Sequence, residues 1–293
     1  MQQMMMTGQT ELEYRVKTAI DRLQAFEPEE GYYLAFSGGK DSQCIYHLAK
    51  EAGVKFDAHY NLTTVDPPEL VYFIRENYPD VIVEKPEMTM WQLIVKHRMP
   101  PTRLARYCCS VFKERGGIGR ICVTGVRWAE SSKRKNNRAA FEVLQSNKKN
   151  TKLMNDNDEA RRMFETCYKP EKNKRIVNPI IDWEDSDVWG YIKSRKLKYC
   201  SLYDEGFDRL GCIGCPMARQ AGREREFERW PTYKRAYIRA FEKLAKYRNE
   251  NNLNGGRTSW STGQEIFDWW MEYTAPPPGV MDGQIEMDEQ LFI

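Results

Sequence analysis

Apolar and polar positions follow two rhythms along this chain, and their order predicts the fold. Residues 32 to 36 (YYLAF) form a short apolar run that Ser37-Gly38-Gly39 interrupts, and from Asp41 to Lys50 apolar side chains return at helical spacing as Cys44, Ile45, Leu48 and Ala49. That is strand, tight loop, helix. The order repeats: residues 55 to 61 read as a strand, Asp66 and two prolines open a helix bearing Leu70, Phe73 and Ile74, and 81 to 85 (VIVEK) read as another strand. Met90 to His97 has helical spacing, and 120 to 126 (RICVTGV) reads as a fourth strand. Strand and helix in alternation predict an α/β fold, a mostly parallel sheet with helices on both faces.

From Arg127 to about Arg175 the chain is polar, rich in Asn and Lys, and weakly periodic, which predicts a long excursion holding one or two helices. Pattern returns with IVNPIIDW and a helix from Asp185 to Ser194. Glu224 to Arg248 reads as a long amphipathic helix interrupted near Pro231, and Thr262 to Tyr273 as another that Pro276 to Pro278 should end. The expected organisation is an N-terminal helical extension over 1–30, an α/β domain over 31–218, and a helical C-terminal region with an acidic tail over 219–293.

Composition narrows the class. With 293 residues the chain can bury roughly three-quarters of its unfolded surface. A hydrophobic content of 41%, a charged content of 30% and a mean hydropathy of -0.72 are those of a globular protein. No apolar run approaches the ~20 residues that a bilayer demands, and the N-terminus lacks the features of a secretory signal. A cytoplasmic protein with no membrane partner is expected. The net charge of +3 is too small to demand a polyanionic partner. Local clustering is stronger: residues 127–152 hold eight Lys or Arg against two Glu, and residues 219–248 ten against four. The second run alternates Arg with Glu, which also fits a helix face laced with ion pairs.

Ser37-Gly38-Gly39-Lys40-Asp41-Ser42 lies where the first strand ends and the first helix of the sheet begins. There glycines let backbone amides approach an anion, the helix N-terminus adds partial positive charge, and Ser37, Lys40 and Ser42 supply side-chain donors. Asp41 repels phosphate, so it should cap the helix or hold magnesium. The Walker and dinucleotide-binding glycine patterns are absent, which argues against a P-loop NTPase or a dinucleotide dehydrogenase.

Eight cysteines in a reducing compartment point to thiol or metal chemistry more than to disulfides. Cys44, Cys122, Cys167 and Cys200 stand alone, whereas Cys108-Cys109 and Cys212-Ile-Gly-Cys215 form pairs. Four thiolates suffice for a 4Fe-4S cluster or a tetrahedral zinc. Adjacent side chains diverge, which suits the separated corners of a cubane better than one small ion. Structural zinc and buried unligated thiols remain the alternatives.

The SGGKDS loop after a first strand resembles the pyrophosphate-binding loop of the adenine nucleotide alpha hydrolases, and YCCSVFK followed by LGCIGCP resembles the cysteine arrangement of the assimilatory adenylyl-sulfate and phosphoadenylyl-sulfate reductases. Thr124-Gly125-Val126-Arg127 is similar to that family's Gly-x-Arg segment beside the anion, and NPIIDWEDSDVWGYI to its Asn-Pro stretch. The similarity spans about residues 30 to 220. It implies an adenine nucleotide on Ser37, Gly38, Gly39, Lys40, Asp41, Ser42, Gly125 and Arg127, with Lys40, Asp41 and Arg127 in catalytic roles, Mg²⁺ accompanying ATP, and a 4Fe-4S cluster on Cys108, Cys109, Cys212 and Cys215. One departure matters: those reductases attack sulfur with a C-terminal cysteine, and no cysteine follows Cys215 here. The pattern is therefore closer to the sulfur-incorporation enzymes, in which ATP activates an oxygen as its adenylate, pyrophosphate leaves, and sulfur displaces AMP. A nucleic-acid acceptor (tRNA or DNA) and a sulfur donor would then be partners. The alternatives are a true reductase forming sulfite with a thioredoxin-like reductant, and a non-catalytic nucleotide-sensing module with structural zinc.

Among the remaining residues, Arg127 is read as a bidentate partner for sulfate or phosphate, with a solvated surface arginine as the alternative. Asp66 caps a helix or faces the nucleotide. His47, His59 and His97 read as structural, and Trp183, Trp189, Trp269 and Trp270 as packing residues.

Overall fold

The computed structural model describes residues 10–114, 116–145, 151–153, 173–251, 253 and 260–273. Cys167, the acidic tail and much of the polar excursion lie outside these residues. In chain order the first elements are α1 (Glu11–Ala25), β1 (Tyr32–Phe36), α2 (Lys40–Ala52), β2 (Phe56–Asn61), α3 (Pro68–Asn77) and β3 (Ile82–Glu84). They are followed by α4 (Met90–Lys96), α5 (Tyr107–Phe112), β4 (Ile121–Val123), α6 (Ser132–Asn137), β5 (Phe141–Gln145), β6 (Thr151–Leu153) and β7 (Asn173–Val177). The last are α7 (Asp185–Ser194), α8 (Gln220–Arg229), α9 (Pro231–Glu250) and α10 (Gly263–Tyr273).

Two compact units emerge, one of Met1–Asn61, Pro68–Glu84 and Arg115–Leu210, the other of Leu62–Pro67, Lys85–Glu114 and Gly211–Ile293. The first carries a seven-stranded sheet in the order β3-β2-β1-β4-β7-β5-β6. Strands β1, β2, β3, β4 and β7 run parallel, with Tyr32 opposite Phe56 and Leu34 opposite Val123 in register. The parallel core is apolar on both faces, as helices on either side require: Tyr32, Leu34, Ile121, Cys122, Val123 and Val177 are all buried. Helix α1 begins with a capping box, Thr10 accepting from the Glu13 amide while Glu13 accepts from that of Thr10.

Among the described residues, the polar stretch after Arg127 holds one short helix, α6, in keeping with the one or two expected, and it also holds two unexpected strands, with β5 antiparallel to both β7 and β6. Alternation in FEVLQ is hidden because Glu142 points inward. Its carboxylate accepts from Arg138 Nε at 2.8 Å, the Ala139 amide at 2.9 Å and Asn178 Nδ2 at 2.9 Å, so a buried charge is fully partnered.

In the second unit the break expected near Pro231 falls at Trp230, and Pro231 opens α9, where a missing N–H costs nothing. Tyr237 and Phe241 of α9 pack on Phe267 and Trp270 of α10, and Leu244 is buried on the same helix. Gly263 permits this approach, since a Cβ there would stand 2.5 Å from the backbone of Ile238 and Glu242. Trp270 donates its indole N–H to the Pro101 carbonyl at 2.6 Å. Among the described residues, no helix is long and apolar enough to cross a membrane.

Candidate functional site

Strand β1 ends at Phe36, Gly38 turns the chain at φ +72°, and α2 starts at Lys40 with Gly39 as its N-cap. A side chain at Gly38 would strike Ile74 at 2.7 Å, so both conformation and space require glycine. Gly39 has no capping side chain. Helix α2 therefore begins with the amides of its first turn directed out of the helix, which is the arrangement that receives anions. Ser42 braces the loop from inside: its Oγ accepts from the Ser37 amide at 3.1 Å and donates to the Gly39 carbonyl at 2.9 Å, while Ser37 Oγ lies 3.2 Å from it. Gly125, after β4, faces the same turn, and a Cβ on it would come within 3.0 Å of the Asp41 carbonyl carbon. The loops after β1 and β4 are thus in backbone contact at the carboxyl edge of the parallel strands, where open α/β sheets take their ligands.

The charged residues are arranged differently from expectation. Arg127 is neither solvated nor aimed at a second anion; it is 2% exposed, and all of its nitrogens are engaged. Nε donates to Asp41 at 2.7 Å, one terminal nitrogen to the Trp183 carbonyl at 3.1 Å, and the other to Asp185 at 2.7 Å. Burial lowers its pKa, but Asp41 and Asp185 outweigh that and raise it. Burial likewise raises that of Asp185, and Arg127 and Lys40 more than reverse it. Asp41 does not cap α2, and its carboxylate is shared between Arg127 and Lys40, the latter at 4.0 Å. With Arg127 on Oδ1 and the Lys40 ammonium 4.0 Å from Oδ2, Asp41 is held in place beside the loop.

Lys40 is buried, its ammonium 3.1 Å from the Asp208 carbonyl and 3.6 Å from Asp185. Its amide donates to the Tyr203 hydroxyl at 2.8 Å. Sequence reasoning missed Tyr203, Asp208 and Asp185. Asp185 lies in the recognised NPIIDWEDSDVW stretch, but nothing in the local pattern marks a tyrosine 163 positions from Lys40.

The cysteine pairs lie in the second unit, Cys108 and Cys109 on α5, Cys212 and Cys215 in the turn before α8. Cys108 is hydrogen-bonded with Cys109, and that bond, burial and the charges of Cys109, Cys212 and Cys215 push its thiol up. The same bond brings Cys109 down to about 6. Lys113 lies beside them, and the charge of the nearby Cys212 raises its ammonium. These four soft donors suit a thiolate-bound metal chemically, and Cys108 feels the charge of the other three. Among the described residues, however, no three His, Cys, Asp or Glu side chains converge closely enough to hold an ion. Cys44, Cys122 and Cys200 are buried elsewhere, and burial raises each thiol.

Asp66 accepts the Thr63 amide at 2.7 Å and closes a turn before α3. His59 lies between Asp57 and Glu84 and stacks on Tyr33, a structural placement.

The phosphoadenosine phosphosulfate reductase domain matches residues 31–218, more than half of the chain. The chain belongs to that family. Its phosphosulfate reductase-type segment thus includes the loop after β1, Arg127 and all four paired cysteines. The chain is 23% identical over 195 residues to the adenosine 5'-phosphosulfate reductase of Staphylococcus haemolyticus, covering 64% of this chain and 70% of the relative. It is 25% identical over 243 residues to a probable FAD synthase of Schizosaccharomyces pombe, covering 80% and 77%. An uncharacterised protein of Methanocaldococcus jannaschii is 26% identical over 210 residues, covering 67% of this chain and 44% of that protein. The chain spans less than half the length of that relative and of a second one from the same organism.

Proposed function

We propose that this phosphosulfate reductase-family chain is an enzyme that binds the phosphate end of ATP at residues 37–42, transfers AMP to an oxygen of an acceptor, and releases pyrophosphate so that sulfur can displace the AMP. The observation that carries this reading is the Gly38–Gly39 turn at the end of β1, which opens α2 toward an anion with no side-chain cap of its own. Backbone amides there stabilise charge on the departing pyrophosphate without reorganising, the electrostatic means by which phosphoryl and adenylyl transfers are accelerated. Lys40 supplies the mobile cation; on ligand binding it exchanges Asp185 and the Asp208 carbonyl for phosphate oxygens. Tyr203 marks the place of one such oxygen, since its hydroxyl already accepts the Lys40 amide. Arg127 holds Asp41 and Asp185 in place as a positioning residue. Magnesium belongs to the ATP substrate.

Cys108, Cys109, Cys212 and Cys215 would hold a 4Fe-4S cluster or zinc, which when bound supplies sulfur handling or a structural clasp. The acceptor is a nucleic acid in this reading, with a separate sulfur donor. A second reading, reduction of adenylyl sulfate to sulfite, draws on the likeness to the Staphylococcus reductase and requires an attacking thiol from outside residues 216–293, which contain none.

Incubation of the purified chain with labelled ATP and with labelled adenylyl sulfate plus thioredoxin separates the two. AMP and pyrophosphate from ATP are expected. Sulfite from adenylyl sulfate, with ATP untouched, would replace the first reading by the second.

A further inference from the structure

Between α4 and α9, in the second unit, lies an open hollow of about 570 Å³. Val95 and Ala240 form part of its floor, Trp91 lines one side, and Lys96, Arg239 and Lys243 surround it. No acid lines it. Among the described residues none of the three cations makes an ion pair, and within α9 the pair is Lys246 with Glu250 at 3.8 Å. Glu242, on the same helix, is occupied by the Gly263 amide.

Three cations without acidic neighbours around an apolar floor favour a polyanion, and the indole offers a flat face to an aromatic partner. Trp91 is fixed edge-on against the buried ring of Tyr237, with centroids 5.0 Å apart and planes at 84°, so its placement survives in the free protein. Arg239 and Lys243 are one helical turn apart, a rise of about 6 Å, comparable with the step between phosphates of an extended strand. We propose that this groove binds single-stranded nucleic acid, with one base against Trp91 and the backbone over Lys96, Arg239 and Lys243. Duplex bases are stacked away from such a hollow, and an acidic peptide offers charge without a planar group for the indole. The proposal rests on the groove alone and needs neither ATP nor a metal, so it stands or falls apart from the adenylation chemistry.

Anisotropy titrations of labelled oligothymidylate and oligouridylate with the full chain, across a salt series and without nucleotide, test it. Binding of either strand is expected, with a log–log salt slope of about -2 for three phosphate contacts. The double variant Arg239→Glu/Lys243→Glu should weaken it at least about tenfold and flatten the slope. Trp91→Leu should weaken it about tenfold with the slope unchanged, which separates stacking from charge. Both substituted cations are exposed, and unchanged melting verifies the fold. The proposal is overturned if neither strand binds, if the double variant binds as the parent does, or if duplex DNA or polyglutamate binds equally well with the same dependence on Arg239 and Lys243.

Discussion

The anion loop of the first unit and the thiol group of the second are built by opposite means. The loop uses six consecutive residues, and its chemistry is mostly backbone: two glycines, a helix start and a hydroxyl brace within the same turn. The thiol group uses two short segments more than a hundred residues apart, and its chemistry is all side chain. The loop's shape is consequently fixed by residues within the turn itself, through the Gly38 conformation, the Ser42 brace and the start of α2. The thiols instead depend on two separate segments being brought together by the fold of the second unit.

That contrast can be broken experimentally, and the largest effect is expected at the thiols. If they are metal ligands, Cys212→Ser with Cys215→Ser abolishes bound iron or zinc in anaerobically purified protein, measured by elemental analysis and visible absorption. Equal metal content in parent and variant would leave them as unligated thiols.

The next effect belongs to Gly38. Gly38→Ala must adopt a left-handed conformation and push Ile74 and Leu70 aside, which costs about 2–4 kcal/mol in chemical denaturation and abolishes nucleotide protection. Smaller is Arg127→Met. It leaves Asp41 and Asp185 without their shared cation, but both remain partly solvated, so about 2 kcal/mol is expected, with weaker nucleotide binding as the Lys40 ammonium is drawn toward the two carboxylates.

The smallest effect lies away from both sites. Arg120 grips Asp57 through two bonds of 2.5 and 2.7 Å and holds its carboxyl at about 2. Because the folded value lies below the unfolded one of about 3.9, this stabilisation is full above pH 4 and fades as pH falls toward 2. The stability gap between the parent and Asp57→Asn, followed by acid titration, should close in that window and stay constant above it.

Much of the first unit was legible because its signals are local. Apolar runs, glycine punctuation and helical spacing located β1, α2, β2, β3, β4 and α7 to within a few residues. Strands β5 and β6 were not legible, because an inward Glu142 with three partners makes an alternating strand look like polar linker. The loop at 37–42 could be read as an anion site, but the role of Arg127 could not. Its partners Asp41 and Asp185 are 86 and 58 residues away, and only the fold shows that they consume the guanidinium. Tyr203 was invisible for the same reason.

The claim on which the rest depends is that the amides of residues 37–42, with Lys40, grip the phosphate end of an adenine nucleotide. Calorimetric titration of ATP with magnesium into the parent and into Lys40→Ala tests it most directly. One nucleotide per chain is expected, bound at least about tenfold more weakly in the variant, in keeping with the loss of one charge-assisted contact. Absence of heat from the parent, or equal affinity in the two proteins, would contradict it.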